Sequence, residues 1–157
     1  MFGALPAPTP GSAAPPFCLP DQHDRPVKLV DFRGKKRVVL TFYAEDDTPG
    51  SNTALAAFEA ARSRFEALGA QILGISHNDV RSHARIAAKL GLKFPLLADP
   101  QGEAARLYGA KTLLPFFARR SYVIDGKGLL RLAHRGMPKV EALLTFLEGL
   151  TGDLPNR

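Results

Sequence analysis

The chain has 157 residues, 45% hydrophobic and 23% charged, which fits a single globular domain with a buried core. Its single cysteine, Cys18, excludes an intrachain disulfide framework, a cysteine-based zinc site and a CxxC motif, and agrees with a reducing compartment, the cytoplasm. The formal charge of +6 is scattered in ones and twos, which argues against nucleic-acid binding, and no stretch approaches the ~20 apolar residues that a membrane span needs.

The first 16 residues are a leader rich in proline and alanine, with proline at positions 6, 8, 10, 15 and 16. Proline fixes φ and lacks a backbone N–H, so we predict an extended segment that either lies along the domain or stays mobile. The leader lacks the basic start and apolar core of a secretory signal peptide. The single domain spans residues 17–157 and begins with a β-hairpin near "FCLPDQHDRPVKLVDF".

Two buried strands alternate with two amphipathic helices in the next part of the chain. "KRVVLTFY" (residues 36–43) and "AQILGIS" (residues 70–76) are apolar on both faces, as in strands covered by helices on both sides. Residues 52–68 have apolar side chains at helical spacing, and Gly69 ends this helix. Gly91 ends a second helix, whose inward face we assign to Val80, Ala84, Ala87 and Leu90. A right-handed crossover makes the two strands parallel neighbours.

The rest of the chain predicts shorter elements and a closing helix. "FPLLADP" is extended, "QGEAARLYG" is a short helix ended by Gly109, and "RSYVID" is a strand. "DGKG" (residues 125–128) joins that strand to "LLRLAH" as a hairpin, because Asp-Gly supplies the positive φ that tight turns require. Pro138 begins the last helix, whose apolar stripe is Val140, Leu143, Leu144 and Leu147. This order predicts an α/β fold, a thioredoxin-like three-layer α/β/α sandwich with an N-terminal β-hairpin extension.

"TPGS" (residues 48–51) lies where the first buried strand leads into the first helix. Backbone N–H groups converge at a helix N-terminus and favour an anion or a nucleophile there. Ser51 is therefore a helix cap, a nucleophile or a replacement for another residue, and Thr48 can cap the turn in the same way. A serine nucleophile needs a base within hydrogen-bond reach, and the sequence shows no GxSxG motif and no evident His or Asp partner.

Several segments together resemble the peroxiredoxins of the bacterioferritin-comigratory (AhpC/TSA) type. They are "PPFCLPDQHDRPVKLVDFRGKKRVVLTFY", "DDTPG", "GISHNDVRSHARIAAKLGLKFPLLADP", "LYGA" and "RRSYVIDGKG". The resemblance implies a thioredoxin fold and thiol-dependent reduction of hydrogen peroxide and organic hydroperoxides, in antioxidant defence and redox homeostasis. It further implies a thioredoxin-like reductant, no cofactor or metal, no nucleic-acid or membrane partner, and a monomer or weak homodimer.

The same resemblance assigns roles to Ser51 and Thr48 of the "TPGS" turn and to Arg119. The family's peroxidatic cysteine directly follows Thr-Pro-Gly, a place that Ser51 occupies here. The supporting threonine is Thr48, and the family's arginine is Arg119, two residues before the serine of "SYVID". A proline expected seven residues before the cysteine is replaced by Ala44, and the frequent resolving cysteine five residues after it is replaced by Ala56.

Ser51 removes the chemistry that the family uses. A thiol with an ordinary pKa near ~8.5 becomes a thiolate at a helix N-terminus beside an arginine, attacks a peroxide oxygen and is left as a sulfenic acid. Serine ionises far less readily and has no sulfenic counterpart, so we expect this chain to be inactive or nearly so. The serine is either a natural loss, which the separate change at Ala44 favours, or a deliberate Cys-to-Ser substitution, which the similar size of the two side chains favours.

Two other functions stay open. Thr48, Arg119 and the helix N-terminus form a pocket that an anion or small carboxylate would fit, as in a non-catalytic binding or regulatory protein. A weaker alternative is a peroxidase that uses Cys18. We expect Cys18 instead to be half-buried and unreactive, because no helix N-terminus or adjacent cation lies near it in the sequence.

Three further features have competing interpretations. Arg119 either lines the pocket or pairs with a surface carboxylate such as Asp46 or Asp47. His83 matches a histidine common in this branch of the family, and we predict a semi-buried packing role for it. "LLPFF" (residues 113–117) either packs over the pocket mouth or forms a subunit contact. The remaining histidines lack metal-ligand spacing; they are His23, His77 and His134.

Overall fold

A mixed five-stranded sheet and a separate hairpin organise residues 7–155, the part of the chain that the computed structural model describes. The hairpin pairs β1 (Cys18–Pro20) with β2 (Pro26–Lys28). The sheet contains β3 (Arg37–Phe42), β4 (Ala70–Ser76), β5 (Leu96–Ala98), β6 (Arg120–Ile124) and β7 (Leu130–Arg135). Their spatial order is β5-β4-β3-β6-β7. The predicted N-terminal hairpin is therefore present.

The central strands have the predicted directions. β3 is parallel to β4, and β4 is parallel to β5. β6 is antiparallel to β3 on its other side and to β7 at the edge of the sheet. All six residues of β3 are buried, as expected for a strand that is covered on both faces. The two parallel strands and the later hairpin are confirmed.

Helices cover both faces of the sheet. The helices are α1 (Pro49–Ala60), α2 (Arg62–Ala67), α3 (Val80–Leu90), α4 (Glu103–Tyr108) and α5 (Val140–Glu148). One hydrophobic cluster joins α1, α2, α3 and α5 to one face of the sheet. A second cluster joins the opposite face to α4, the hairpin and the 3-10 turn Leu29–Phe32. The predicted three-layer α/β/α sandwich is confirmed. Within residues 7–155, no helix is long and apolar enough to cross a membrane.

Two helix predictions need correction. Residues 52–68 form α1 and α2 instead of one helix, because Ala61 leaves helical geometry at φ −99° and ψ 3°; nothing in the local sequence explains this break. On α3 the buried face consists of His83, Ile86 and Ala87, whereas Ala84 is exposed. Ala87 is buried and Leu90 packs against the core, as predicted. The prediction is wrong at Ala84, because His83 rather than Ala84 lies on the inward face together with Ile86 and Ala87.

Two turn predictions also differ in detail. In "DGKG" the positive φ belongs to Gly128, at 84°. Gly126 is needed for another reason, since a Cβ there would lie 2.3 Å from the Asp153 carbonyl oxygen. The last helix begins at Val140 rather than at Pro138. The predicted glycine stops are confirmed, with Gly69, Gly91 and Gly109 all at positive φ, the left-handed conformation that ends helices.

The leader lies along the sheet edge where the structure describes it. The Gly11 N–H donates to the Leu130 carbonyl at 2.7 Å, and the Leu130 N–H donates to the Ser12 carbonyl at 2.9 Å. The Ala14 N–H donates to the Gly128 carbonyl at 3.0 Å. Residues 11–14 therefore run beside the start of β7. Residues 1–6 of the predicted leader lie outside the described residues.

Candidate active site

The first turn of α1 begins directly after the loop that follows β3. Thr48 has extended backbone angles, and its Oγ1 accepts a hydrogen bond from the Ser51 N–H at 3.2 Å. Pro49 occupies the first helical position, where its missing N–H is tolerated. Thr48 is thus the N-cap, as one interpretation predicted, and the interpretation of Ser51 as the cap is wrong.

Ser51 lies inside the protein rather than at its surface. It has no exposed area, and its Oγ has no hydrogen-bond partner among the residues that the structure describes. An unpaired buried hydroxyl costs about 1–3 kcal/mol, so native structures rarely keep one without a reason. Among residues 7–155, no base lies within hydrogen-bond reach of this oxygen, and the geometry does not support a serine nucleophile.

Arg119 lies over the same helix turn. It immediately precedes β6, and Phe42 at the end of β3 pairs with Arg120, so the sheet places Arg119 beside the loop that leads into α1. A Cβ at Gly50 would lie 2.8 Å from Arg119 Nη2. The guanidinium therefore packs against the glycine backbone, a close approach that a larger residue would block. Tertiary structure brings Thr48, Ser51 and Arg119 together around one helix N-terminus.

The alternative pairing of Arg119 with a surface carboxylate is wrong for the two predicted candidates. Asp47 accepts hydrogen bonds from Lys89 Nζ at 2.6 Å and from Asn52 Nδ2 at 3.1 Å. Asp46 points inward, away from the surface, and its side chain is 4% exposed. In residues 7–155 no carboxylate forms a salt bridge with Arg119, which leaves its charge available at the helix N-terminus.

Asp46 is the centre of a buried polar network that sequence reasoning missed. Its carboxylate accepts hydrogen bonds from the Tyr43 hydroxyl at 2.6 Å and from the Ser82 hydroxyl at 2.7 Å. His83 Nδ1 lies 2.8 Å from Asp46 Oδ2, and His83 Nε2 lies 3.0 Å from the Leu97 carbonyl oxygen. The network ties the loop before Thr48 to α3 and β5. Placing His83 on the inward face of α3 would have revealed it.

The geometry of His83 determines where protons lie. A carbonyl oxygen only accepts hydrogen bonds, so Nε2 carries a hydrogen. Nδ1 faces the Asp46 carboxylate, so both ring nitrogens lie against oxygen acceptors. His83 is fully buried and is a hydrogen-bonding residue, which corrects the semi-buried packing role predicted for it.

The surroundings shift two acid–base equilibria in this network. Burial raises the pKa of Asp46. The hydrogen bond and charge of His83 and the hydrogen bonds of the Tyr43 and Ser82 hydroxyls lower it by more, so the pKa lies below its ordinary value. Burial, with the Asp46 charge, raises the pKa of Tyr43 well above its ordinary value. Asp46 therefore stays ionised and Tyr43 stays a neutral donor at neutral pH.

A groove of about 650 Å³ opens beside the first turns of α1. Its wall includes Gly50, Ala54 and Ala57 from the helix, Arg119, and Met137 from the segment before α5. None of the lining residues comes from "LLPFF" (residues 113–117). In that segment Leu113 is fully exposed, whereas Phe117 is buried, so the loop does not cover this groove.

Cys18 lies in a different environment from the one predicted. It is exposed rather than half-buried, because β1 forms a two-stranded hairpin outside the main sheet. Lys28 lies directly opposite it in the hairpin register, a cation that sequence reasoning did not place there. Among residues 7–155, no three histidine, cysteine or carboxylate side chains cluster as metal ligands.

Comparisons with known proteins agree with this fold. The model of the AhpC/TSA family matches residues 10–133. The chain is 38% identical over 130 residues to chloroplastic peroxiredoxin Q of Sedum lineare. The aligned region covers 80% of this chain and 68% of that protein. It spans a little over half to about two thirds of the length of the curated relatives that it matches.

Two solved structures have the same architecture. Peroxidoxin BcpB from Mycobacterium tuberculosis matches with a TM-score of 0.85 and 28% identity, covering 91% of this chain and 98% of that chain. Bacterioferritin comigratory protein of Xanthomonas campestris matches with a TM-score of 0.77 and 28% identity, covering 84% of this chain and 90% of that chain. The chain therefore belongs to the AhpC/TSA family of peroxiredoxins and has their thioredoxin-like fold.

Proposed function

We propose that this chain is a peroxiredoxin whose groove beside the first turns of α1, with Arg119 in its wall, binds a hydroperoxide or a small oxyanion without reducing it by the family's thiol mechanism. The observation that carries this proposal is Ser51. Its Oγ lies buried and unpartnered within residues 7–155, in the first turn of α1. The family resemblance assigns the peroxidatic cysteine to this position.

The environment of Ser51 suits sulfur better than oxygen. A hydroxyl is a strong hydrogen-bonding group and loses about 1–3 kcal/mol when it is buried without a partner. A thiol is a weak donor and a weak acceptor, and it behaves as a small hydrophobic group. The surroundings of this atom therefore support the interpretation that Ser51 replaces a cysteine, whether the serine was inherited or introduced.

The family reaction cannot proceed through a serine oxygen. In that reaction a thiolate sulfur attacks one peroxide oxygen, the O–O bond breaks, the alcohol or water leaves with a proton, and the sulfur becomes a sulfenic acid. A second thiol then forms a disulfide with release of water. Oxygen at Ser51 has no such oxidation step, but Arg119 and the α1 N-terminus still favour an anionic or strongly polar ligand.

A thioredoxin-coupled peroxide assay tests this proposal. We expect no turnover by the chain as it stands and turnover by Ser51→Cys. The same cysteine variant with Arg119→Gln should turn over more slowly, because the thiolate loses its nearby cation. Ala56→Cys alone is a matched control that adds a thiol to the exposed face of α1 outside the first turn, and it should stay inactive. If Ser51→Cys is folded and still inactive, the pocket has lost the family geometry and the proposal is wrong.

Cys18 supports a second candidate function. Its exposure and the Lys28 opposite it make a single-cysteine peroxidase conceivable on the hairpin. This candidate predicts peroxide turnover by the unmodified chain that disappears in Cys18→Ala. Absence of turnover in the unmodified chain removes it.

The remaining proposals concern partners and location. We propose organic hydroperoxides as the ligand class, supported by the alkyl peroxide reduction described for the Xanthomonas campestris relative. A thioredoxin-like protein is the proposed reductant for the cysteine variant, and a cytoplasmic monomer or weak homodimer is the proposed state. Sedimentation analysis and cell fractionation test the last two points.

A further inference from the structure

An apolar cavity of about 230 Å³ lies at the end of the sheet that is remote from Ser51. Its floor is formed by Leu29, Val38 and Ile124, all of which are buried members of one hydrophobic cluster. The leader contributes a wall that includes Ala13 and Ala14. The apolar floor favours an apolar guest, because water gains few hydrogen bonds against it.

The leader explains why the cavity is open. Ala14 has only a methyl group to place over the larger side chains of the floor, so it leaves space that a leucine would fill. Its backbone cannot move inward freely, because the Ala14 N–H donates to the Gly128 carbonyl at 3.0 Å. The cavity is therefore held open by a hydrogen-bonded segment with small side chains.

Two cations stand at the cavity and lack carboxylate partners. Arg33 and Lys36 both line it, and within residues 7–155 neither side chain forms a salt bridge. Asp125 is the one acidic residue among the lining residues of the described chain. Its carboxylate accepts hydrogen bonds from the Lys127 and Leu129 N–H groups and from Arg131, so it does not neutralise the two cations.

The cavity and the Ser51 pocket are separate sites on one strand. Val38 at the cavity lies near the start of β3, and the loop to Ser51 begins after Phe42 at its end. Four residues of strand span about 13 Å. Binding in the cavity can therefore be measured independently of events at Ser51, and it does not rest on the function proposed for that pocket.

We propose that this cavity binds a small amphipathic monocarboxylate, with its hydrocarbon tail over Val38 and Ile124 and its carboxylate between Arg33 and Lys36. The tail gains binding free energy for each CH₂ that it buries. The carboxylate complements two positive charges that have no internal partner. A neutral alcohol of the same length loses this second contribution, and an alkylammonium ion is repelled.

Titration of the full chain with octanoate, followed by amide chemical shifts and calorimetry at constant ionic strength, tests the proposal. We expect saturable binding with the largest shifts at Ala14 and Gly128. Octanol should bind about tenfold more weakly, because it has no charge to pair with Arg33 and Lys36. Octylammonium should bind more weakly still. Butyrate should bind poorly because its tail is short.

Two variants and one matched control make the test decisive. Arg33→Gln with Lys36→Gln should weaken octanoate binding about tenfold and leave octanol binding unchanged. Ala14→Leu should fill the cavity and abolish binding of both ligands. Arg81→Gln with Lys93→Gln removes two exposed charges elsewhere and should have little effect.

Three outcomes would overturn the proposal. The first is the absence of saturable octanoate binding up to its solubility limit. The second is a set of shifts centred on Gly50 and Arg119 instead of the cavity. The third is octanoate affinity that falls equally in the two double-charge variants, since this would show a general charge effect rather than a site at Arg33 and Lys36.

Discussion

Ser51 and Cys18 are the two positions at which peroxide chemistry could be based, and their surroundings are opposites. Ser51 is fully buried in the first turn of a helix, with Thr48 capping that turn and Arg119 packed against it. Cys18 is exposed on a two-stranded hairpin with only Lys28 opposite. The helix N-terminus and Arg119 therefore lie beside the serine oxygen, whereas the single cysteine of the chain lies on the hairpin. We therefore propose that family membership does not bring the family's reaction to this chain, because the reaction needs both the atom and its surroundings.

The largest expected effect concerns the polar network that supports the Ser51 loop. His83→Ala should lower the free energy of unfolding by about 3–5 kcal/mol, because it removes the imidazole that hydrogen-bonds the buried Asp46 carboxylate. Urea unfolding at pH 7 measures this loss. His134→Ala, at an exposed position of β7, is the control and should change stability by less than about 0.5 kcal/mol. Similar losses in both variants would show that the network does not stabilise the loop.

The pH dependence of stability in acid should report on the same network in the unmodified protein. The pKa of Asp46 is below its ordinary value in the folded state, so its contribution to stability is complete above the ordinary value, near ~3.9, and is lost as the pH falls through the lower folded value. The free energy of unfolding, measured from pH 5 down to pH 2, should therefore fall more steeply below about pH 4 for the unmodified chain than for Asp46→Asn. Asp31→Asn, at an exposed position, should follow the unmodified curve. Parallel behaviour of all three would contradict the assignment.

A thiol placed at Ser51 should be far more ionised at pH 7 than an ordinary cysteine thiol. An ordinary thiol with a pKa near ~8.5 is about 3% thiolate at pH 7, whereas a helix N-terminus can lower the pKa to ~6 and give about 90% thiolate, a thirtyfold difference. Thiolate absorbance during a pH titration of Ser51→Cys combined with Cys18→Ala measures the new thiol. The unmodified chain provides the Cys18 reference. Two superimposable titrations would show that the first turn of α1 does not activate sulfur.

The cap should make a smaller contribution. Thr48→Ala should lower the free energy of unfolding by about 1 kcal/mol, because the Ser51 N–H loses its side-chain acceptor. Thr48→Ser keeps the oxygen and should retain most of the stability. Chemical unfolding of both variants separates the loss of the hydrogen bond from the loss of the methyl group. Equal losses would assign the effect to packing.

The smallest expected effect belongs to the hairpin. Cys18→Ala should change the free energy of unfolding by less than about 0.5 kcal/mol, because the side chain is exposed and packs little. Thermal unfolding of this variant and of Cys18→Ser measures it. A loss above about 1 kcal/mol in both would give Cys18 a structural role and would remove the contrast with Ser51.

Local patterns in the sequence predicted much of the fold. The bounds of β4 agree with the apolar run at residues 70–76, and the glycine stops agree with left-handed residues at 69, 91 and 109. These features depend on neighbours along the chain. The pair of Asp46 and His83 joins residues 37 positions apart, and the pair of Arg37 and Asp153 joins residues 116 positions apart. Such partners cannot be read from periodicity, because they meet only when elements pack.

The sequence by itself determined the order of strands and helices, the resemblance to the peroxiredoxins and the presence of serine after Thr-Pro-Gly. The tertiary structure decided that Thr48 rather than Ser51 caps α1, that Arg119 packs on Gly50, and that Cys18 is exposed. It also decided that the serine oxygen is buried without a partner within the described chain. The physical reason is that burial and hydrogen bonding depend on which elements pack around an atom, and those elements come from distant parts of the chain.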